Sequence, residues 1–247
     1  MLSLPLLIEQ AVGQGQIKPV ATPGRAAVHL DPATIRSLLN PKLPTDITLP
    51  AGKLVEAKQW TDANGQNLLV VLRTPDRTVP LKDMDYARHA ELYIRQYVRR
   101  NNRYEELWRL QDAVRECPVD LTLATLPGST TITDLDKDGQ TETTVLYRLT
   151  CRGDTSPAQL KLIMREGKAK YALRGQMIQL ANYPTKDEQK KVLAKPVCCS
   201  DQIKSPDDYA LFEGLYQNEN EFASAPPAFL VYARQQWRKW RMKDSFD

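Results

Sequence analysis

The sequence predicts a mainly β protein of the β-rich α+β class, in which two degenerate strand–hairpin repeats form an antiparallel sheet or an open sandwich. Apolar and polar residues alternate over several short segments, as they do in strands with one buried face. Asn64-Gly65 is a strong signal for a β-hairpin turn. A weak internal repeat aligns Gly65 with Gly139. A short N-terminal helix and a C-terminal packing helix complete the predicted fold.

The composition is typical of a globular protein. The chain has 247 residues, of which 42% are hydrophobic and 26% are charged, and its net charge is +4. This basic excess is too small to predict a nucleic-acid partner. No apolar run approaches the roughly 18 residues that a membrane-spanning helix needs, so we expect no transmembrane segment.

Residues 1–50 are predicted to form an N-terminal lead-in with one short helix at about 32–39. Asp31-Pro32 marks its start, because an acidic N-cap followed by proline favours a helix beginning there. The segment 2–8 is apolar but short, and no Lys or Arg precedes it. It is either the remnant of an export signal, which predicts the periplasm or cell envelope, or an ordinary element of a cytoplasmic protein.

Residues 51–180 are predicted to form the two-repeat β domain. Its first hairpin joins strands at 54–60 and 66–73. A second hairpin spans 90–114 and turns at Asn101-Asn102, because Asn tolerates the positive φ of a tight reversal. A helix is the alternative for 90–114, since Glu, Leu, Arg and Gln are good helix formers. The alternation within this segment favours strands.

The second half of this domain repeats the plan of a polar turn, a strand and a hairpin. Strands are predicted at 118–124 and 143–150, followed by a hairpin over 160–174. In the alignment, the first copy has Trp60 where the second has Asp134. The first copy has thus lost acidic residues, and we expect it to bind no metal.

The C-terminal part contains a polar segment and a helix. Residues 181–223 are rich in polar residues and proline, and are predicted to form a surface excursion. Residues 224–247 contain a helix that extends to about Met242. Its apolar residues recur at helical spacing, which predicts that this side of the helix packs on the sheet. They are Phe229, Ala233, Trp237 and Trp240.

The loop before the strand at 143–150 carries the clearest chemistry. Its aspartates alternate, and Gly139 permits the sharp reversal that wraps them around one point. Converging oxygen ligands suit a hard cation, above all Ca²⁺. The predicted metal ligands are Asp134, Asp136, Asp138, Gln140 and Glu142.

The spacing of these residues copies the first part of an EF-hand loop. Gln140 stands at position seven, which supplies a backbone carbonyl, and Glu142 stands at position nine. Position twelve, a bidentate Glu in an EF-hand, is Val145, and the flanks are β-like. The loop therefore resembles the Asp-rich loops of FG-GAP and related β-repeat modules. The alternative is a solvated hairpin turn whose Asp side chains cap backbone amides.

The four cysteines form no C-x-x-C pair, and the two histidines lie far from them in sequence, so no structural zinc site is predicted. Cys117 and Cys151 flank the second repeat and would staple it in an exported protein. A three-strand meander would place them at opposite ends, which argues against this bridge. Buried free thiols in a reducing compartment are the alternative. Cys198 and Cys199 are adjacent, and we expect no function for them.

Four longer segments carry a wider resemblance: CPVDLTL, TDLDKDGQTETTVLYRLTCRGD, LKLIMREGKAKYALRG and PPAFLVYARQQW. They resemble a family of uncharacterised exported bacterial proteins, loosely labelled surface polysaccharide biosynthesis proteins. The resemblance implies an envelope location and no assigned reaction.

Catalysis finds little support in the sequence. No nucleophile elbow, phosphate-binding loop or zinc-protease motif is present. We therefore expect a non-enzymatic cell-envelope binding or structural protein with one calcium-stabilised loop, whose partner is a protein or a glycan. The alternatives are a metal-dependent enzyme of surface-polysaccharide metabolism and an immunity-type protein that binds a toxin.

Overall fold

The computed structural model of the chain describes residues 28–30, 34, 49–81, 84–204 and 209–242. The helix predicted at 32–39 and most of the predicted lead-in lie outside the described residues. The strands are β1 (Val28–His29), β2 (Lys53–Asp62), β3 (Gly65–Arg73), β4 (Arg77–Leu81), β5 (Met84–Arg100), β6 (Arg103–Cys117), β7 (Asp120–Thr125), β8 (Thr131–Thr133), β9 (Glu142–Arg152), β10 (Gln159–Glu166) and β11 (Ala169–Gln176). The α-helices are α1 (Lys186–Ala194), α2 (Tyr209–Phe212) and α3 (Pro227–Trp240), and short 3-10 helices cover Leu180–Asn182, Ser200–Gln202 and Asn220–Phe222.

The strands form two antiparallel sheets, which confirms the mainly β prediction. The first, here called the N-sheet, has the order β1-β2-β3-β5-β4, and β6 also pairs with β5. The second, the C-sheet, has the order β11-β10-β9-β7, and β8 also pairs with β9. The meander β3-β5-β6 in the N-sheet therefore corresponds to the meander β9-β10-β11 in the C-sheet.

Residues 90–114, for which a helix was the alternative to a hairpin, form strands. β5 and β6 pair along most of their length, and the turn between them places Asn101 at φ 47° and Asn102 at φ 63°. Both angles lie in the left-handed region, which Asn tolerates better than most residues. The alternation of the sequence, with one side of each strand buried, therefore outweighed helix propensity here.

Side chains from both sheets meet in a shared core. Leu69 and Ile94 of the N-sheet belong to the same buried cluster as Val145, Ile163 and Ala172 of the C-sheet. Burial of this apolar surface holds the sheets together, at roughly 25 cal/mol for each Å² removed from water.

Helix α3 packs against the C-sheet through a separate core. Phe229, Ala233 and Trp237 are fully buried with C-sheet residues that include Leu162 and Leu173. Trp240 is partly buried and packs against the same cluster. The predicted apolar stripe therefore does pack on a sheet. Proline at the start of α3 fits the first helical turn, where its missing N–H costs nothing.

The polar segment 181–223, predicted as a surface excursion, contains helical turns and several buried residues. It contains α1, whose N-terminus has a capping box between Thr185 and Glu188. Val197, Leu215 and Tyr216 are buried, and Tyr216 forms backbone bridges with the C-sheet and with Cys198. The capping box is the signal that identifies α1.

The argument against a Cys117–Cys151 bridge is wrong. These two cysteines form a disulfide with a Cα–Cα distance of 5.5 Å. Strand β7 pairs directly and antiparallel with β9, and Leu121 lies opposite Cys151. The start of β7 and the end of β9 therefore lie at the same end of the C-sheet. The adjacent Cys198 and Cys199 lie with their sulfur atoms in contact.

None of the described helices combines the length and the apolar character of a membrane span.

Candidate metal centre

The Asp-rich loop, residues 134–141, connects β8 to β9. Its backbone takes positive φ at Lys137 (64°) and at Gly139 (86°), so the chain reverses twice within a few residues. The Oδ1 atom of Asp138 accepts a hydrogen bond of 2.7 Å from the Gln140 N–H. Such local side-chain to backbone bonds are typical of Asp in tight turns. The sequence thus folds here into a compact loop with its acidic residues close together.

The structure brings five carboxylates into two overlapping groups. In the first, one oxygen each of Asp134, Asp136 and Asp138 lies within 4.8 Å of the others. In the second, Asp136 is joined within the same distance by Glu142 and Glu166. Each group can hold a metal ion. Asp136 belongs to both and therefore lies at the middle of the centre.

Glu166 is the residue that sequence analysis missed. It ends β10 and lies directly opposite Glu142 of β9 in the antiparallel register. It is far along the chain from the Asp-rich loop, and the loop motif contains no sign of it. The signal that could have found it is the register of the β9–β10 pair, which places the first residue of one strand beside the last residue of the other.

Glu142 is fully buried, but only one of its two carboxylate oxygens accepts hydrogen bonds. Its Oε2 atom accepts hydrogen bonds of 2.9 Å from the Leu135 N–H and from the Thr133 hydroxyl. Its Oε1 atom is buried and has no hydrogen-bond partner among the described residues. The same holds for Asp134 Oδ1 and for Glu166 Oε1. A buried carboxylate oxygen without a partner costs free energy, which a bound cation would offset.

The electrostatics of the centre also favour a bound cation. Burial raises the pKa of Glu142 to about 7, and the nearby charge of Asp136 adds to the effect. Burial also raises the pKa of Glu166, with further contributions from Asp136, Asp138 and Asp134. Both shifts show that the ionised form is unfavourable at these two positions. A divalent cation would reverse this balance by lowering the repulsion among the carboxylates.

Gln140 lies in the loop, but its side chain is engaged with neighbours. Its amide nitrogen donates to Asp138 Oδ2 at 3.0 Å, and its Oε1 accepts from the Asn64 amide at 3.1 Å. Gln140 is expected to bind the metal through its backbone carbonyl. These side-chain hydrogen bonds do not involve that carbonyl. They also tie the loop to the turn of the first repeat.

That turn, residues 61–66, supports the Asp-rich loop from the N-sheet. Asp62 Oδ2 accepts hydrogen bonds from the Thr141 N–H (3.1 Å) and hydroxyl (2.6 Å). The Trp60 indole donates to the same hydroxyl at 2.7 Å, and the Ala63 N–H donates to the Gly139 carbonyl at 2.8 Å. In the described part of the turn no carboxylate cluster forms. The turn of the first repeat therefore stabilises the Asp-rich loop of the second repeat through these hydrogen bonds.

Comparison of the chain with models of protein families, with curated proteins and with solved structures finds no match.

Proposed function

We propose that this chain is a non-enzymatic binding or structural protein of the cell envelope, stabilised by one Ca²⁺ ion at the Asp-rich loop. The observation that carries the proposal is the fully buried Glu142, whose Oε1 has no partner among the described residues and which belongs to one of the two overlapping carboxylate groups. A solvated turn that only caps backbone amides would have no reason to bury such a group.

Calcium suits this donor set better than other common ions. Ca²⁺ takes six to eight oxygen ligands in a flexible geometry, whereas Mg²⁺ demands a strict octahedron and keeps several waters. Zn²⁺ prefers nitrogen and sulfur ligands, and the described centre contains neither. The EF-hand-like spacing of the aspartates adds to the argument. Glu166 supplies from β10 the acid that an EF-hand would have at position twelve, where this chain has Val145.

The ion is proposed to have a structural role because its ligands come from three separate segments. Asp134, Asp136 and Asp138 belong to the loop, while Glu142 begins β9 and Glu166 ends β10. An ion held by all of them would fasten the loop to the C-sheet. An ion that binds only the folded chain adds stability that grows with the logarithm of its concentration.

The proposed envelope location is supported by the cysteines. The Cys117–Cys151 disulfide joins the end of β6 to β9. Disulfides persist in oxidising compartments such as the periplasm and are rare in the cytosol. The resemblance to exported proteins linked to surface polysaccharide agrees with this location. A calcium site of weak, extracellular affinity also fits a compartment with abundant calcium.

Thermal unfolding in calcium and in chelator tests the proposal. A site with a Kd of about 0.1 mM in about 5 mM calcium adds about 2.3 kcal/mol, or roughly 5–9 °C in Tm for a chain of this size. Asp136→Ala with Asp138→Ala should abolish the shift and leave the Tm in chelator nearly unchanged. The matched control is Asp120→Ala with Asp187→Ala, which removes two exposed acids elsewhere. A wild-type curve that millimolar calcium does not move would refute the structural ion.

A second candidate is a metal-dependent enzyme of surface-polysaccharide metabolism. It is favoured by the exposure of Asp136 and Asp138, because a catalytic ion needs a coordination position that substrate can reach. It predicts metal-dependent turnover of an envelope polysaccharide, which the double variant would abolish. Absence of turnover together with a calcium-dependent rise in Tm favours the structural role.

A further inference from the structure

A cavity of about 460 Å³ lies at the end of the C-sheet where β10 begins and β11 ends. Its sheet side consists of three consecutive cross-strand pairs, Gln159–Gln176, Leu160–Gly175 and Lys161–Arg174. Ser200, Asp201, Phe212, Gln217 and Asn218 line the other side. Its size lies within the range of small-molecule sites in proteins.

The backbone around this cavity is held in place by hydrogen bonds. The Gln176 N–H donates to the Leu215 carbonyl at 3.0 Å, and the Gln217 N–H donates to the Arg174 carbonyl at 2.7 Å. Gly175 permits this close approach, because a Cβ atom there would lie 2.0 Å from the Leu215 carbonyl oxygen. The two sides of the cavity are therefore joined as one unit, and a ligand would meet a preformed site.

The lining of this cavity excludes several classes of ligand. Four amide side chains, a hydroxyl and charged groups line this cavity beside Leu160 and Phe212, so a wholly apolar ligand would leave many polar groups without partners. Its two cations are already paired, Lys161 with Asp112 and Arg174 with Glu221. Asp201 adds an exposed carboxylate. The local charge is therefore close to balanced, which disfavours phosphates and other strong anions.

The same lining matches a molecule that carries many hydroxyl groups. An amide side chain carries a donor and an acceptor side by side, and each hydroxyl both donates and accepts. Gln176 is partly exposed and lines the cavity together with Gln159 and Gln217. Phe212 adds the only aromatic ring of the described lining and offers an apolar face to the C–H groups of a sugar ring.

We propose that this cavity binds a neutral saccharide, an inference that rests on the proposed function in taking the chain to be a binding protein. The sugar hydroxyls bond to the amides of Gln159, Gln176 and Gln217, and one ring face lies against Phe212. The site is separate from the metal centre, which lies at the other end of β10, where Glu166 ends the strand.

The experiment is saturation-transfer NMR followed by calorimetry with glucose, galactose, mannose, N-acetylglucosamine and maltose, each at millimolar concentration. Inorganic phosphate, glucuronate and triglycine serve as anionic and peptide probes. At least one neutral saccharide should bind. Gln159→Ala with Gln217→Ala, both exposed, should weaken it about tenfold, as should Gln176→Leu. The exposed Gln235→Ala on α3 is the matched control and should bind as the wild type does.

Three results would overturn the saccharide site: no neutral saccharide binds, binding survives in the Gln159/Gln217 double variant, or only the anionic or peptide probes bind. The double variant changes exposed side chains, so its Tm should equal that of the wild type even if Gln176→Leu fails to fold. Repeating the titration in chelator separates the two proposals. Saccharide binding without a calcium-dependent shift in Tm refutes the calcium ion alone, and the reverse result refutes the saccharide site alone.

Discussion

Glu142 and Glu166 lie directly opposite each other on β9 and β10, two acidic side chains at a pairing that sheets usually fill with opposite charges or apolar residues. Each has a buried carboxylate oxygen with no hydrogen-bond partner in the described structure. Asp136 completes the group from the loop side. A cation held between the two carboxylates would relieve the repulsion between them.

Glu166→Gln should weaken calcium binding by about tenfold or more, because it removes one charge-assisted ligand while keeping the shape of the side chain. Calorimetric titration with calcium measures the effect. The same change at the exposed Glu105 on β6 should leave the affinity unaltered. If Glu166→Gln binds calcium as tightly as the wild type, the ion lies in the loop alone and β10 takes no part in binding it.

The metal-free protein should lose stability as pH rises. The folded-state pKa of Glu142 is raised from 4.5 to about 7 by burial, so the folded chain retains a proton that the unfolded chain has already released. Stability therefore falls between these two values, by roughly 3 kcal/mol, and changes little above them. Glu166 acts in the same direction, and Tyr171 and Tyr232, which also face the group, stay neutral because their pKa values are raised.

Urea unfolding at about pH 5 and about pH 8, after removal of divalent ions on a chelating resin, measures this dependence. Glu142→Gln is the comparison variant, since a neutral amide imitates the protonated acid. It should remove most of the fall in stability between the two pH values. In saturating calcium the wild-type protein should instead be more stable at the higher pH. The ion binds the ionised carboxylates, so its contribution to stability grows with pH. Equal pH dependence in wild type and variant would show that other groups are responsible.

Asp62→Ala should weaken calcium binding by roughly three- to tenfold although Asp62 belongs to neither carboxylate group, because it frees Thr141 at the end of the Asp-rich loop. Thr141→Val removes the hydroxyl that Asp62 and Trp60 share and should act in the same direction. Calorimetry on the two single variants and the double variant measures their coupling. If the two substitutions changed the calcium affinity additively, Asp62 and Thr141 would act independently, which would contradict their joint support of the loop.

Arg241→Met should destabilise the protein by about 3–5 kcal/mol. This arginine is fully buried, and its guanidinium donates to four backbone carbonyls, those of Leu193, Lys195, Pro196 and Gly214. It thereby fastens the end of α1 and the segment before Leu215 to α3. Urea unfolding measures the loss, and the exposed Arg238→Met should cost little. A small effect of Arg241→Met would mean that water replaces the guanidinium at these carbonyls.

The features that sequence analysis predicted well depend on neighbours in the chain. Asn64-Gly65 and Asn101-Asn102 identify turns because the backbone angles they tolerate are local properties. The spacing of the aspartates and Gly139 predicts a loop with converging acids for the same reason. The apolar stripe of α3 follows from helical periodicity, which places residues three or four apart on one side.

The features that only the tertiary structure decided depend on pairings between distant segments. Glu166 joins the centre because β10 pairs with β9 in one register, and a shift by one residue would turn its side chain to the other side of the sheet. Cys117 meets Cys151 because β7 pairs directly with β9. The sequence by itself determined the turns, the loop acids and the helix stripe. Strand order and register, set by burial of the shared core, decided which distant residues those acids and cysteines would meet.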